Sequence, residues 1–219
     1  MSKKFNEIIA LESIYFTNQF GFVFMLLGVA IQVLTYSITG GTQLSAFSGI
    51  CGIISVVLCS QRKMMFYLFG FAQLFTYVIL CLQQRLYGEI AENVFYFVTM
   101  LFGIYQWVRH YNEDEKTVET RSLNAGQKMW TAIGTLIGTF ALFNVLSVTD
   151  DTQPFIDAVT TAPAFVAQTL MILRYKDSWI YWLIIDAGAI PMWVVAGDWC
   201  MVAQYVFWTA NCIYGLKKW

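Results

Sequence analysis

Eight long apolar stretches occupy most of this 219-residue chain, and each approaches the length that crosses a lipid bilayer. An α-helix rises 1.5 Å per residue, so about 20 apolar residues span the hydrocarbon core. Only 12% of the residues are charged, whereas soluble domains carry about 25%. The sequence therefore predicts an all-α integral membrane protein with eight transmembrane helices. The predicted spans are residues 20–39, 44–59, 64–82, 90–108, 129–148, 155–173, 179–195 and 201–216.

The basic residues indicate how these spans are oriented. Of the 13 lysines and arginines, all but Arg85 fall in segments that share a side with both termini. Basic loops are retained in the cytoplasm, so both termini are predicted to be cytoplasmic. Residues 1–19 mix charged and apolar side chains, which predicts an interfacial segment, either an amphipathic helix on the membrane surface or a disordered tail.

The second half of the chain resembles the first. An offset of 113 residues aligns an aromatic pair and a polar residue of each half, namely Phe66, Phe69 and Gln73 with Trp179, Trp182 and Asp186. Matching spans are four apart and run in the same direction, which is typical of the parallel repeats of secondary transporters. The predicted units are an extra helix at 20–39, a three-helix repeat at 44–108, a cytoplasmic linker at 109–128, a linking helix at 129–148 and a second repeat at 155–219.

One face of the seventh span carries two tryptophans and a carboxylate. Trp179, Trp182 and Asp186 fall within about 60° of each other at 3.6 residues per turn. A carboxylate inside a span costs at least ~2.5 kcal/mol on insertion scales and therefore faces a cavity or a partner. Asp186 is predicted either to contact a ligand or to pack against Gln73, and Trp179 either to line a cavity or to belong to the interfacial aromatic belt.

Further polar side chains in the spans are predicted to share this site. They are Asn93 and Tyr96 of the fourth span, Gln168 of the sixth, and Gln204 and Asn211 of the eighth, together with Phe66, Phe69 and Gln73. Flat aromatic faces beside an acid favour a flat cationic or electron-poor ring, through stacking and cation–π attraction. Sugars also stack on tryptophan, so the pattern indicates a small-molecule site without fixing the ligand.

These motifs resemble the PnuC-type vitamin transporters, relatives of the SWEET sugar transporters. The resemblance rests on Trp179-x-x-Trp182, Asn93-x-x-Tyr96, the repeat and the span pattern, and it covers residues 44–219. It implies a 3+1+3 core, no cofactor, and facilitated diffusion of nicotinamide riboside across the inner (cytoplasmic) membrane of a bacterium. Amides are common in this family at the position of Asp186, so thiamine or another vitamin is an alternative substrate.

Two other function classes are weighed against transport. A membrane-embedded enzyme needs an acid/base pair, a nucleophile or a metal cluster, and the spans contain no histidine, H-E-x-x-H or G-x-S-x-G motif. A receptor or assembly subunit would bind a vitamin without moving it. The net charge of −1 gives no basic field for nucleic acid, and the sequence leaves a homo-oligomer open.

Overall fold

A computed structural model shows an almost entirely helical chain. It describes residues 2–14, 16–85, 87–151 and 153–219, so Met1, Tyr15, Leu86 and Thr152 lie outside the description. The helices of the described residues are α1 (Ser2–Ile14), α2 (Gln19–Thr39), α3 (Gln43–Ser60), α4 (Phe66–Gln84), α5 (Tyr87–Arg109), α6 (Ala125–Leu146), α7 (Pro154–Ile172), α8 (Ser178–Ala196) and α9 (Trp199–Lys218). Strands β1 (Tyr111–Asn112) and β2 (Thr117–Val118) pair as an antiparallel hairpin between α5 and α6.

The helices α2 to α9 match the eight predicted spans, with boundaries that differ by at most four residues. Six of them, α2, α3, α4, α6, α7 and α8, are long and apolar enough to cross a membrane. The other two carry more polar residues, several of which are buried, among them Glu92 on α5 and Gln204 on α9. The chain is therefore a multi-pass membrane protein, and its least apolar helices direct their polar groups inward.

Capping side chains define where several helices begin. Asn18 accepts a hydrogen bond from the backbone of Gly21 at 2.7 Å at the start of α2, and Thr42 caps α3 in the same way. Asn124 and Gln127 form a reciprocal capping box at the start of α6. These bonds satisfy backbone donors that have no partner inside the helix.

The helices differ in how much of their apolar surface is exposed. On α6 only Leu146 is buried, while Leu136 and Phe140 are each 71% exposed. By contrast, most residues of α3 and α7 are buried. Exposed apolar faces suit contact with lipid, so α6 lies at the periphery and α3 and α7 lie in the interior.

The two halves of the chain pack in corresponding ways. In the first half α2 packs on α3, α3 on α4 and α4 on α5, and in the second half α6 packs on α7, α7 on α8 and α8 on α9. The halves meet where α2 and α3 pack on α9 and where α5 packs on α7. When the two halves are exchanged, each of these helix pairs corresponds to another, except the pair of α2 with α9.

The ends of α4 and α8 align at an offset of 112 residues, so the predicted offset of 113 is wrong by one. Both helices have 19 residues, and the turns before them each place an arginine at positive φ, 61° at Arg62 and 66° at Arg174. At this offset Trp179 corresponds to Tyr67, and Asp186 corresponds to Leu74. The sequence alignment matched side-chain type, whereas backbone geometry sets the register.

The N-terminal segment is a helix docked on the protein, and the alternative of a disordered tail is wrong for the described part of it. Ile8 of α1 is buried, and the carboxylate of Glu12 accepts hydrogen bonds from the backbone N–H groups of Met64 and Met65 at 2.9 and 2.8 Å. Burial raises the pKa of Glu12, while these two bonds oppose the rise. The docked carboxylate thus supplies acceptors at the start of α4.

The linker between α5 and α6 is folded along the two halves. The backbone N–H of Val118 donates to the carbonyl of Arg62 at 3.1 Å, and that of Arg121 donates to the carbonyl of Arg174 at 2.9 Å. Arg62 and Arg174 occupy matching turns, before α4 and before α8. The linker therefore contacts both halves at corresponding positions.

Candidate functional site

A cavity of about 130 Å³ lies between the two halves, and its wall is formed by α3, α4, α5, α7, α8 and α9. It brings together nine of the eleven predicted site residues. They are Phe66, Gln73, Asn93, Tyr96, Gln168, Trp179, Trp182, Asp186 and Asn211. Residues that lie as far apart in the sequence as Phe66 and Asn211 therefore meet at one site.

Phe69 and Gln204 do not line this cavity. Phe69 packs edge-on against Phe16, with ring centroids 6.5 Å apart, because it is turned toward the connection before α2. Gln204 is fully buried behind the wall, near Gly52 of α3. Among the described residues neither of its amide atoms has a hydrogen-bond partner. The periodicity of the sequence located these residues on the correct helices but did not resolve which way each one faces.

Two of the three tryptophans of α8, Trp179 and Trp182, lie in the wall of the cavity. Trp179 is only 2% exposed and packs edge-on against Trp219 at 5.6 Å, so it does not belong to an interfacial belt. Its indole ring is also packed directly over Gly215 of α9. Trp182, one turn further along, is edge-on to Tyr96 at 5.9 Å.

Asp186 lies one turn beyond Trp182 and is 4% exposed. Its Oδ2 accepts a hydrogen bond from the thiol of Cys212 at 3.2 Å. Gln73 was one of the two alternatives that the sequence offered for Asp186; the hydrogen-bond donor in the structure comes instead from α9. A thiol is a weak donor, and Asp186 therefore keeps most of its acceptor capacity at the cavity.

Two carboxylates that the sequence analysis missed also line the cavity. Glu89 and Glu92 of α5 are each 3% exposed. The hydroxyl of Tyr77 donates to Glu89 at 2.8 Å and lies 2.7 Å from the hydroxyl of Tyr205, and the hydroxyl of Tyr96 donates to Glu92 at 2.9 Å. The signal was present, because positions 89, 92, 93 and 96 share one helical face. Glu89 was overlooked because the predicted span began at residue 90 and left it in a loop, whereas Glu92 lies inside that span and was not considered.

The acidic and basic residues of this wall are of one kind. Among the described residues that line it are three carboxylic acids, Glu89, Glu92 and Asp186, and no Lys, Arg or His. Several buried polar atoms of the wall have no hydrogen-bond partner among the described residues. These atoms are the indole nitrogens of Trp179, Trp182 and Trp208, Oδ1 of Asn211 and Oε1 of Glu92. Because buried polar groups are normally paired, this wall has the capacity to bind a polar, positively charged molecule.

Comparison with known proteins agrees with a transport function. The family model described as nicotinamide mononucleotide transporter matches residues 42–219. A relative from Neisseria mucosa named nicotinamide riboside transporter PnuC is 28% identical over 92% of this chain and 81% of its own length. The protein of the same name from Haemophilus influenzae is 27% identical over 91% of this chain and 89% of its length.

A solved structure is also similar. The structure titled as the crystal structure of the vitamin B3 transporter PnuC has a TM-score of 0.82 at 27% identity, and the match covers 93% of this chain and 91% of that one. The family and these relatives are transporters, which points away from the alternative of a membrane-embedded enzyme. Since the family model matches well over half of its length, the chain belongs to the nicotinamide mononucleotide transporter family of membrane proteins.

Proposed function

We propose that this chain carries nicotinamide riboside across the inner membrane of a bacterium by facilitated diffusion, through the cavity between its halves. The family description names the mononucleotide, whereas the relatives are named for the riboside. The charge of the cavity wall favours the riboside. Its pyridinium ring is a cation, and a cation in the cavity favours the ionised, attracting form of the three buried acids in the wall. The mononucleotide adds a phosphate of about −1.5 to −2 charges, which those carboxylates would repel.

Thiamine also contains a cationic ring and would be attracted by the same carboxylates. The charge of the wall therefore does not separate the two vitamins. The names of the relatives favour nicotinamide riboside, and thiamine is retained as the second candidate for the flux experiment below.

In the proposed binding mode the ring stacks on Trp182 and Trp179, and the ribose contacts the amides. Asn93 donates its amide N–H to the carbonyl of Glu89 at 2.6 Å, and Asn211 donates to the carbonyl of Val56 at 3.1 Å. With one amide N–H of each side chain bonded to the protein, the side-chain oxygen and the second N–H of each amide can bond ribose hydroxyls.

The proposed topology has eight transmembrane helices, with α2 as the extra helix, α3–α5 and α7–α9 as parallel repeats, α6 as the linking helix, and both termini in the cytoplasm. The corresponding packing of the two halves supports this 3+1+3 arrangement. The basic residues on the side of both termini support the orientation. Alternating access would come from rocking of one repeat against the other, with Pro163 and Pro191 inside α7 and α8 as bending points.

A liposome experiment tests the proposal. Purified protein is reconstituted, and uptake of radiolabelled nicotinamide riboside, nicotinamide mononucleotide and thiamine is compared without ATP. Saturable riboside uptake is expected, with much less mononucleotide uptake. Trp182→Ala should lose most of this uptake, whereas Trp130→Ala, which removes a 67% exposed tryptophan of α6, should not. Binding of riboside without flux would identify a receptor, and preferential uptake of the mononucleotide would contradict the argument from charge.

A further inference from the structure

A second cavity of about 350 Å³ lies on the face of the molecule that carries both termini, outside the proposed transport site. Its wall is basic. Arg62 and Lys63 come from the turn between α3 and α4, Lys116 comes from the hairpin, and Lys218 comes from the end of α9. The acid among its lining residues is Glu115. Four positive charges and one negative charge leave the wall with a net charge of +3.

Holding these basic groups close together is energetically unfavourable. Lys63 is only 8% exposed, and its ammonium donates to the carbonyl of Lys116 at 3.0 Å. Burial lowers the pKa of Lys63; Lys116 and Arg62 lower it further, and Glu12 opposes them. Arg62 and Lys116 also have positive φ angles of 61° and 53°, a backbone strain that is found preferentially at functional sites.

Gln61 in this wall is held by hydrogen bonds, whereas the guanidinium of Arg62 is held weakly, by a 3.4 Å bond to the carbonyl of Val118 and by one ion pair. Gln61 is fixed by bonds to Thr17 at 2.6 Å and to the backbone N–H of Asn18 at 3.0 Å. The ion pair between Arg62 and Glu115 is 3.7 Å long, and the carboxylate side chain is 61% exposed, so this pair contributes little. A multiply charged anion would relieve the repulsion among the basic groups and offer Arg62 a bidentate partner.

We propose that this cavity is a binding site for a phosphate group on the face that carries both termini. Two sources supply such a group there: a soluble phosphate or phosphate ester, and the headgroup of an anionic lipid, since Lys218 and Asn18 lie at the ends of membrane helices. The site is separate from the carboxylate-lined cavity, and its charge is opposite. Its occupancy does not depend on which vitamin the protein carries.

Titration calorimetry on the purified full-length chain tests the site, with inorganic phosphate and adenosine monophosphate as probes against chloride at equal ionic strength. We expect saturable binding that Lys218→Gln weakens about tenfold, because a charge-assisted hydrogen bond is lost. Lys218 is exposed, so its substitution leaves the fold intact. The control is Lys217→Gln, which removes the same charge one residue away from an exposed position that does not line the cavity.

Nanodiscs distinguish the two sources. If a lipid headgroup binds, the Tm is higher in phosphatidylglycerol than in phosphatidylcholine for the unmodified chain and for Lys217→Gln. This difference is lost in Lys218→Gln. Binding of the soluble probes with the same variant pattern would assign the site to a free phosphate. The proposal is overturned if neither probe nor lipid has an effect, if both lysine variants change binding equally, or if Lys218→Gln leaves it unchanged.

Discussion

The packing of Trp179 over Gly215 predicts a measurable penalty for the smallest possible enlargement of α9. A Cβ added at Gly215 would lie 2.4, 2.5 and 2.8 Å from three atoms of the indole ring, all below van der Waals contact. Overpacking of this kind costs about 1–3 kcal/mol. Replacing glycine by alanine within a helix returns up to about 1 kcal/mol.

The matched control is Gly134→Ala on α6, where an added Cβ would meet nothing within 4 Å. Both substitutions gain the same helix propensity, so the difference between the two variants isolates the cost of overpacking. Gly215→Ala is expected to be less stable than Gly134→Ala by about 1–3 kcal/mol, which corresponds to about 2–4 °C of Tm per kcal/mol for a chain of this size.

Thermal unfolding in detergent measures this difference, and riboside flux in liposomes provides the second readout. Displacement of the Trp179 ring into the cavity should raise the KM of Gly215→Ala and leave that of Gly134→Ala unchanged. Equal Tm values for the two variants would refute the packing argument. A lower Tm of Gly215→Ala with unchanged flux would confirm the packing argument but would show that Trp179 does not contact the substrate.

Two further substitutions test other parts of the structure. Glu92→Gln keeps an acceptor for Tyr96 but removes an acid that can ionise beside the pyridinium ring, so riboside affinity should fall about tenfold or more. Glu113→Gln, on the exposed hairpin turn, should have no effect, and unchanged flux in both variants would exclude Glu92 as a partner of the ring. Glu12→Gln leaves one of two buried backbone donors without a good acceptor and should lower stability by about 1–3 kcal/mol, measured by thermal unfolding, whereas the exposed Glu7→Gln should not.

Much of the fold could be predicted because lipid imposes a simple pattern on the sequence. A spanning helix must be long and apolar, so helices such as α2 were located to within one residue. Where polar residues begin a buried helix the pattern fails, and Glu89 at the start of α5 was assigned to a loop. The burial of Glu89 depends on Tyr77 and on a neighbouring helix, which no local window of sequence contains.

Within the candidate site, the sequence predicted which types of residue line the cavity better than it predicted which way each side chain faces. Nine residues line one cavity because polar and aromatic groups inside spans face inward. Phe69 is only three residues from Phe66, yet it packs against Phe16 instead. The docking of Glu12 on the start of α4 and the thiol partner of Asp186 depend on contacts between distant segments, which the sequence alone does not specify.

The folded linker limits how the two halves can move. Val118 and Arg121 are three residues apart, and their N–H groups bond the carbonyl oxygens of the turns before α4 and α8 at 3.1 and 2.9 Å. While both bonds persist, the chain holds these two carbonyl oxygens within about 17 Å of each other. The halves can then tilt about this end, and the displacement is largest at the opposite end. If the chain transports as proposed, a passage on the side of the linker is expected to open more by bending within helices, as at Pro163 or Pro191, than by parting of the halves.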